Sequence, residues 1–170
     1  LELENILDGI YGVGELSKTI LDKISSYGEL LSSYIFYEIT RFNNLKSEYI
    51  DARKIIFTKK SKGNNLIIDF DKTSKKLDVV LNKKNSSLLI FPGFIASSYD
   101  KKTTTLGRGG SDFSASILAN IVNAKKLDIW TDVSGMYTAN PKIVKQAKPI
   151  SELSYEEAME LSYFGAKVIY

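Results

Sequence analysis

Residues 103–112, TTTLGRGGSD, stand between a predicted strand and a predicted helix. The β-branched threonines favour the strand, and Ser111 can cap the helix that follows. Glycines let a backbone approach a ligand closely, and the N-terminus of a helix attracts anions. The segment matches neither a Walker A loop nor a dinucleotide fingerprint. The pattern predicts either an anion site or a simple glycine-rich turn before a capped helix.

Two charged residues in this segment are candidates for function. Asp112 lies at the helix start, where a carboxylate is also favourable through the helix dipole alone. Arg108 can hold a carboxylate through its planar fork of donors, and the alternative is a surface arginine in a loop. We therefore interpret both as candidates for binding an anionic ligand.

The surrounding segments predict an α/β layered domain with a mainly parallel sheet, because helical and strand patterns alternate. The apolar run 88–91 is typical of a strand buried on both faces, and it ends at Pro92 and Gly93. Residues 127–131 predict another strand, with Trp130 and Val133 in the core. Further strands are predicted at 49–51, 55–58, 66–69 and 167–169, with a hairpin at 96–106.

The helices follow from apolar residues at helical spacing. Two helices are predicted before a break at Ser25–Gly28, and a third is predicted after it. Others are expected over 72–84, after Ser111 with a buried stripe, and from Ser151 or Ser154 with Ala158 and Leu161 inward. The stripe of the helix after Ser111 comprises Ala115, Leu118, Ala119 and Val122.

Several polar residues outside the glycine-rich segment are also candidates. Glu29 has a structural alternative, because Ser26-x-x-Glu29 is also a capping box. Thr131, Asp132 and Tyr137 follow a predicted strand, at the sheet edge where α/β proteins bind ligands. Lys167 suits a phosphate contact, although a lysine at a strand end commonly faces solvent.

Composition excludes several kinds of site. The 170 residues include no cysteine and no histidine, so disulfides, thiolate metal sites and histidine bases are absent. The net charge of +3 is mild and the lysines are dispersed, which argues against nucleic acid as a partner. The sequence has no membrane-span pattern, and we expect a cytoplasmic protein without a metal site of its own.

Six motifs occur in the order found in aspartate kinases: SYGE (26–29), DAR (51–53), PGF (92–94), TTTLGRGGSD (103–112), IWTDVSGMYTANP (129–141) and FGAK (164–167). From about Leu3 onward the chain resembles these members of the amino acid kinase family, on its own or as the kinase part of a bifunctional aspartokinase/homoserine dehydrogenase. The resemblance implies a three-layer α/β/α sandwich of the carbamate kinase-like fold. It also implies transfer of the ATP γ-phosphate to the β-carboxylate of L-aspartate, the first step of lysine, threonine and methionine biosynthesis.

The resemblance implies a role for each matching residue, with Glu29 at the substrate ammonium and Arg108 at its α-carboxylate. Arg108, Asp112 and Lys167 are the implied catalytic residues. Tyr137 is expected near adenine and Lys167 near the phosphates, and Mg²⁺ is expected to be held by the nucleotide phosphates. The aspartate side comprises Glu29, Phe94, Arg108, Gly110, Ser111 and Asp112, and the ATP side comprises Thr131, Asp132, Tyr137, Lys142 and Lys167.

The chain also departs from the family pattern. Aspartate kinases carry a Lys-Phe-Gly-Gly motif and C-terminal ACT regulatory modules, and residues 1–170 include neither. We therefore expect a catalytic-domain fragment that turns over little by itself, and a homo-oligomer for the intact protein. Asn140-Pro141-Lys142 stands where Asp-Pro-Arg is usual, and Tyr170 where histidine is commoner.

Two alternatives to aspartate phosphorylation remain open. One is another kinase of the same fold, acting on glutamate, acetylglutamate, carbamate or a nucleoside monophosphate; the SYGE and LGRGGSD motifs argue against it. The other is a ligand-binding part of a protein without turnover.

Overall fold

The computed structural model describes residues 2–62, 66–83 and 88–163, in which helices alternate with short strands. The helices are α1 (Glu2–Val13), α2 (Lys18–Phe42), α3 (Phe70–Lys83), α4 (Gly110–Ile121) and α5 (Tyr155–Tyr163), with a 3₁₀ turn at Ala52–Lys54. The strands are β1 (Ser47–Tyr49), β2 (Phe57–Lys60), β3 (Leu66–Ile68), β4 (Leu88–Ile90), β5 (Ile95–Ser98) and β6 (Thr103–Thr105). Within the described ranges, no helix combines the length and the apolar character that crossing a membrane requires.

Parallel strand pairs form the centre of the fold. Strands β1 and β4 are parallel, with Ser47 opposite Leu88 and Tyr49 opposite Ile90. The other sheet has the order β3-β2-β5-β6, in which β2 and β5 are parallel and the two outer pairs are antiparallel. Parallel neighbours need a crossover connection, and α3 lies within the one that joins β2 to β5. The predicted α/β class is confirmed.

Two apolar clusters hold the helices onto the strands. In the first, Ile56 and Ile95 are fully buried and pack with Ile117 of α4 and Leu30 of α2. The second contains Ile50, Ile55 and Leu77 of α3, with Leu118 of α4 at its margin. Helix α4 therefore contacts both clusters, and this packing fixes its direction relative to the strands.

The predicted hairpin over 96–106 is confirmed, and its tip is tied to the start of α3. The hydroxyl of Tyr99 donates a hydrogen bond to Asp69, which is buried. The Asp69 carboxylate also accepts from the amide of Lys72, at 3.1 Å. The Lys72 ammonium lies 4.0 Å from the ring centroid of Phe57 and 3.7 Å from that of Tyr99. These contacts anchor the hairpin whose second strand leads into residues 107–110.

Helix α2 is continuous, so the predicted break at Ser25–Gly28 is wrong. Ser26 is fully buried, and its hydroxyl donates to the carbonyl of Lys23 at 2.6 Å, which satisfies the serine inside the helix. The N-cap is Ser17, whose hydroxyl accepts from the amide of Ile20. Burial of one face has overridden the weak helix propensity of this segment, and the capping box at Ser26 and Glu29 does not form.

Helix α4 begins differently from the prediction. Its N-cap is Gly109 in the left-handed region, with φ 68°, and Ser111 lies inside the helix. Ser114 and Ile117 are the buried residues of the central turns, whereas Val122 is 43% exposed. Ala115, Leu118 and Ala119 are only partly buried. The buried face is therefore rotated by about one residue, because a small polar residue, Ser114, takes a core position.

Residues 127–131 do not form a strand, and the core position predicted for Trp130 and Val133 is wrong. Trp130 is 93% exposed and Val133 is 41% exposed. A strand is stabilised by its neighbours, and none of the described strands pairs with these residues. An apolar run of this length carries no information on whether a partner strand lies beside it.

The last described helix starts where one of the two alternatives placed it. Ser154 and Glu157 form a capping box, in which the amide of Ser154 donates to the Glu157 carboxylate at 2.8 Å and the amide of Glu157 donates to the Ser154 hydroxyl at 3.2 Å. Ala158 and Leu161 are partly buried, as predicted. The strand predicted at 167–169 lies outside the described residues.

The continuity of α2 predicts the effect of a substitution at Gly28. This glycine lies inside the helix, and a Cβ there meets nothing within 4 Å. We expect Gly28→Ala to raise the free energy of unfolding by about 0.5–1 kcal/mol in urea denaturation, because alanine loses less backbone entropy. As a control, Gly14→Ala should destabilise, since Gly14 has φ 72° after the end of α1. A loss of stability in Gly28→Ala would indicate that the helix is broken at Gly28, as the sequence predicted.

Candidate active site

The loop between β4 and β5 lies directly against the N-terminus of α4. A Cβ on Gly93 would stand 2.9 Å from Ser111 Cα, and one on Gly110 would stand 2.8 Å from the ring of Phe94. These distances are shorter than van der Waals contact, so only glycine fits at either position. The Pro92–Gly93 segment and the glycine-rich segment before α4, both noted in the sequence, are therefore in direct backbone contact.

Hydrogen bonds through Ser114 reinforce this contact. The amide of Phe94 donates to the Ser114 hydroxyl at 2.9 Å, and that hydroxyl donates to the carbonyl of Gly110 at 2.8 Å. Phe94 has φ 66°, a left-handed conformation that is uncommon for a bulky residue. Ser114 is 2% exposed and was missed by sequence reasoning. Its position four residues after Gly110, where a serine can bond back along the helix, was the available signal.

The turn before α4 owes its shape to two further glycines. Gly107 and Gly109 have φ of 78° and 68°. The amide of Gly110 donates to the carbonyl of Gly107 at 3.1 Å, and the amide of Phe113 donates to the carbonyl of Gly109 at 3.0 Å. The turn carries Arg108, which is exposed, and leads to the exposed Ser111 and the half-buried Asp112. A guanidinium, a hydroxyl and the positive end of a helix dipole are thus grouped on one turn, which suits an anionic ligand.

Helix α2, which carries Glu29, packs against the same apolar cluster as these loops. Leu30, the next residue, packs on the first apolar cluster together with Phe94 and Leu106, which flank the two loops. Glu29 is half-buried, and burial raises the pKa of its carboxyl. The backbone carbonyl of Glu29 accepts a hydrogen bond from the Ser33 hydroxyl at 2.5 Å, within the helix. This bond does not involve the Glu29 carboxylate, whose position depends on the packing of α2. A half-buried carboxylate costs stability, which is typical of residues retained for function.

The residues predicted for the nucleotide lie on a separate stretch of chain, 131–150. Thr131 and Asp132 are exposed, and the Thr131 hydroxyl accepts from the amide of Val133 at 3.2 Å. Tyr137 is half-buried and forms a β-bridge with Pro149. This bridge is flanked by bonds from the Thr138 amide to the Lys148 carbonyl at 3.0 Å and from the Ile150 amide to the Met136 carbonyl at 2.8 Å.

Lys142 is exposed at the start of a turn in this stretch. Its amide donates to the side-chain oxygen of Asn140 at 3.0 Å, and the carbonyl of Asn140 accepts from Val144 at 2.8 Å. Asparagine can therefore cap this turn where the family usually has aspartate. Lys167 lies outside the described residues. Among the residues that are described, no three carboxylates are grouped as a metal site.

Residues 5–170 match the sequence profile of the Amino acid kinase family. The chain belongs to the amino acid kinase family. It is 38% identical to the lysine-sensitive aspartokinase 3 of Escherichia coli, over 99% of this chain and 39% of that protein. It is also 38% identical to the chloroplastic bifunctional aspartokinase/homoserine dehydrogenase 2 of Arabidopsis thaliana, over 99% of this chain and 18% of that protein.

Solved structures agree with this assignment. Escherichia coli aspartokinase III in complex with aspartate and ADP superposes with a TM-score of 0.85, over 99% of this chain and 39% of that chain. The aspartate kinase of Clostridium acetobutylicum, 39% identical, superposes with a TM-score of 0.73 over 88% of this chain and 32% of that one. The fold expected for an amino acid kinase is confirmed. The chain spans about two fifths or less of these relatives.

The site residues predicted for this amino acid kinase chain thus fall into two groups. The structure brings Phe94, Gly110 and Ser111 into one cluster, with Arg108 and Asp112 on the same turn and helix. Glu29 lies on α2 directly before Leu30, which packs on the same apolar cluster as Phe94. Thr131, Asp132, Tyr137 and Lys142 lie on the second stretch, and their hydrogen bonds are local to it.

The backbone contact in the first group predicts a strong effect of Gly93→Ala. The new Cβ meets the Cα and Cβ of Ser111, so the loop and the helix must separate. We expect a loss of about 1–3 kcal/mol in the free energy of unfolding, the usual cost of overpacking. Gly12→Ala is the control, since a Cβ there meets nothing within 4 Å. Equal stability of the Gly93→Ala variant and the control would contradict this contact.

The raised pKa of Glu29 predicts a pH-dependent effect of Glu29→Gln. The folded protein holds this proton more tightly than the unfolded chain, whose glutamate pKa is about 4.3. The neutral side chain is therefore favoured at low pH, and stability is lost as pH rises through the folded pKa. Denaturation curves should show Glu29→Gln more stable than wild type at pH 7 and the two nearly equal below about pH 4. A less stable variant at pH 7 would mean that the glutamate stabilises the fold.

Proposed function

We propose that this chain forms part of the catalytic domain of an aspartate kinase, which transfers the γ-phosphate of ATP to the β-carboxylate of L-aspartate. The observation that carries the proposal is the contact between the loop at Gly93 and the first turn of α4, beside the apolar cluster on which Leu30, the neighbour of Glu29, packs. The likeness to aspartokinase III, whose structure holds aspartate and ADP, supports the same conclusion. Its product, 4-phospho-L-aspartate, begins the synthesis of lysine, threonine and methionine.

The amino acid is held at its two charged ends in this proposal. Arg108 binds the α-carboxylate through its fork of donors, near the N-terminus of α4. Glu29 accepts hydrogen bonds from the ammonium, and the charge of the substrate offsets the burial that raises the pKa of its carboxyl. Phe94, Gly110 and Ser111 form the wall against which the substrate lies, and Asp112 orients the ammonium from the first turn of α4.

Phosphoryl transfer needs no general base here. The β-carboxylate of aspartate is ionised at pH 7 and attacks the γ-phosphorus directly, which suits a chain without histidine. Two like charges about 4 Å apart repel by about 4 kcal/mol at an effective dielectric of 20. Arg108, the dipole of α4 and Lys167 offset this repulsion, so catalysis consists of positioning and charge neutralisation.

The nucleotide belongs to the stretch 131–150 and to Lys167 in this proposal. Tyr137 lies beside adenine, while Thr131, Asp132 and Lys142 contact the ribose and phosphates. These three residues are exposed, which suits a ligand that enters from solvent. Mg²⁺ would be held mainly by the nucleotide phosphates and would neutralise part of the phosphate charge. We expect the intact enzyme to be cytoplasmic and a homo-oligomer, as the family resemblance implies.

Glu29→Gln in the full-length protein tests the amino acid site. The substitution keeps the shape of the side chain but removes the charge that faces the ammonium. We expect the KM for aspartate to rise by about 10- to 100-fold, the equivalent of one charged hydrogen bond, with less than a threefold change in the KM for ATP. Hydroxamate formation in steady-state assays gives both constants.

A substrate panel in the same assay tests the reaction itself. Wild-type protein should form the acyl phosphate from aspartate and not from glutamate, N-acetylglutamate or carbamate. A preference for any of these three would assign the chain to another branch of the family. An unchanged KM for aspartate in Glu29→Gln would remove Glu29 from the site while leaving the reaction in place.

A further inference from the structure

Asp22 is a buried carboxylate that lies outside the site described above. Asp22 of α2 is 6% exposed, and a carboxylate removed from water is costly unless it has partners. The hydroxyl of Thr105 donates to its Oδ1 at 2.8 Å, across 83 residues of sequence. The ammonium of Lys18 lies 3.4 Å away, but that side chain is 73% exposed and its contribution is small. Thr105 is therefore the principal partner of Asp22.

Asp22 and Glu29 lie on the same face of one helix. They are seven residues apart in α2, which at 100° per residue returns to within about 20° of the same direction. The rise between them is about 10 Å. Ser26, fully buried between them, lets this face of the helix approach its neighbours closely. A rotation or shift of α2 at Asp22 is therefore transmitted to Glu29.

Thr105 lies on β6, the strand that leads into the glycine turn. It is the last residue of β6, where it pairs with Ile95, and Arg108 follows three residues later in the glycine turn. Strand β6 ends the order β3-β2-β5-β6 of the described strands, and α2 packs against it. The bond between Thr105 and Asp22 thus joins the strand that leads to Arg108 with the helix that carries Glu29.

We infer that Asp22 and Thr105 are a positioning pair, which sets the register of α2 against β6 and hence the separation of Glu29 from Arg108. The inference rests on the proposed function, in which these two groups hold the ammonium and the α-carboxylate of one amino acid. The pair touches neither substrate, and it determines how well the spacing of the two binding groups matches an α-amino acid.

Thr105→Val in the full-length protein tests this role, because valine keeps the shape and removes the hydroxyl. We expect the KM for aspartate to rise about tenfold, with less than a twofold change in the KM for ATP. Thr105→Ser restores the hydroxyl and should return the KM for aspartate to within about twofold of wild type. A tenfold rise that serine does not reverse would overturn the inference.

Thr104→Val is the matched control on the neighbouring residue. Its hydroxyl lies 3.1 Å from that of Thr58, and Thr104 is buried on the opposite face of β6. This variant should lose stability without separating the two KM values. If it raises the KM for aspartate as much as Thr105→Val does, general loosening of the strand explains both effects and the pair has no positioning role.

A double-mutant cycle shows whether the pair acts through Glu29. In a Glu29→Gln background, Thr105→Val should raise the KM for aspartate by less than about twofold, because the group it positions has lost its charge. A full additional tenfold rise would overturn the inference while leaving the proposed function intact. Absence of acyl phosphate formation from aspartate by the wild type would instead overturn the proposed function, and this inference with it.

Discussion

The contact between the β4–β5 loop and the first turn of α4 is the constraint on which the candidate site depends. At Gly93 and Gly110 the two backbones leave no room for a Cβ, and the Ser114 hydroxyl bridges them. Helix α4 packs on both apolar clusters, and this packing holds its first turn against the loop. The positive end of its dipole, the glycine turn and Phe94 are consequently presented together.

Helix α2, which carries the candidate residue Glu29, packs against β6. It buries Asp22, Ser26 and Thr40, all polar, along one face. Ser26 and Thr40 satisfy their hydroxyls within the helix, at the carbonyls of Lys23 and Tyr37, whereas Asp22 depends on Thr105. A helix that buries polar groups in this way packs in one register only, because any slip leaves a carboxylate unpaired in a low-dielectric region.

Much of the fold and of the candidate site could be predicted from local sequence patterns. The hairpin around residues 99–102 was predicted, and so was the last helix, whose start was placed at Ser151 or Ser154; both depend on near neighbours. The strand before Pro92 was also predicted, and it pairs with the distant β1. The grouping of Phe94 with Gly110 and Ser111 also agrees with the motifs that indicated it. The predictions failed where the structure of a segment depends on residues distant in sequence. Ser26 lies inside α2 because that face of the helix is buried, and the strand predicted around Trp130 is absent because none of the described strands pairs with it.

The sequence by itself determined the α/β class, the membership of the amino acid kinase family and the glycine turn before α4, because each depends on residue types at short spacing. Only the tertiary structure decided that α2 is unbroken, that Gly109 and not Ser111 caps α4, and that Asp22 meets Thr105. The physical reason is one of magnitude. The intrinsic propensities of a few residues separate helix from turn by only fractions of a kcal/mol, and burial and long-range hydrogen bonds contribute more than that.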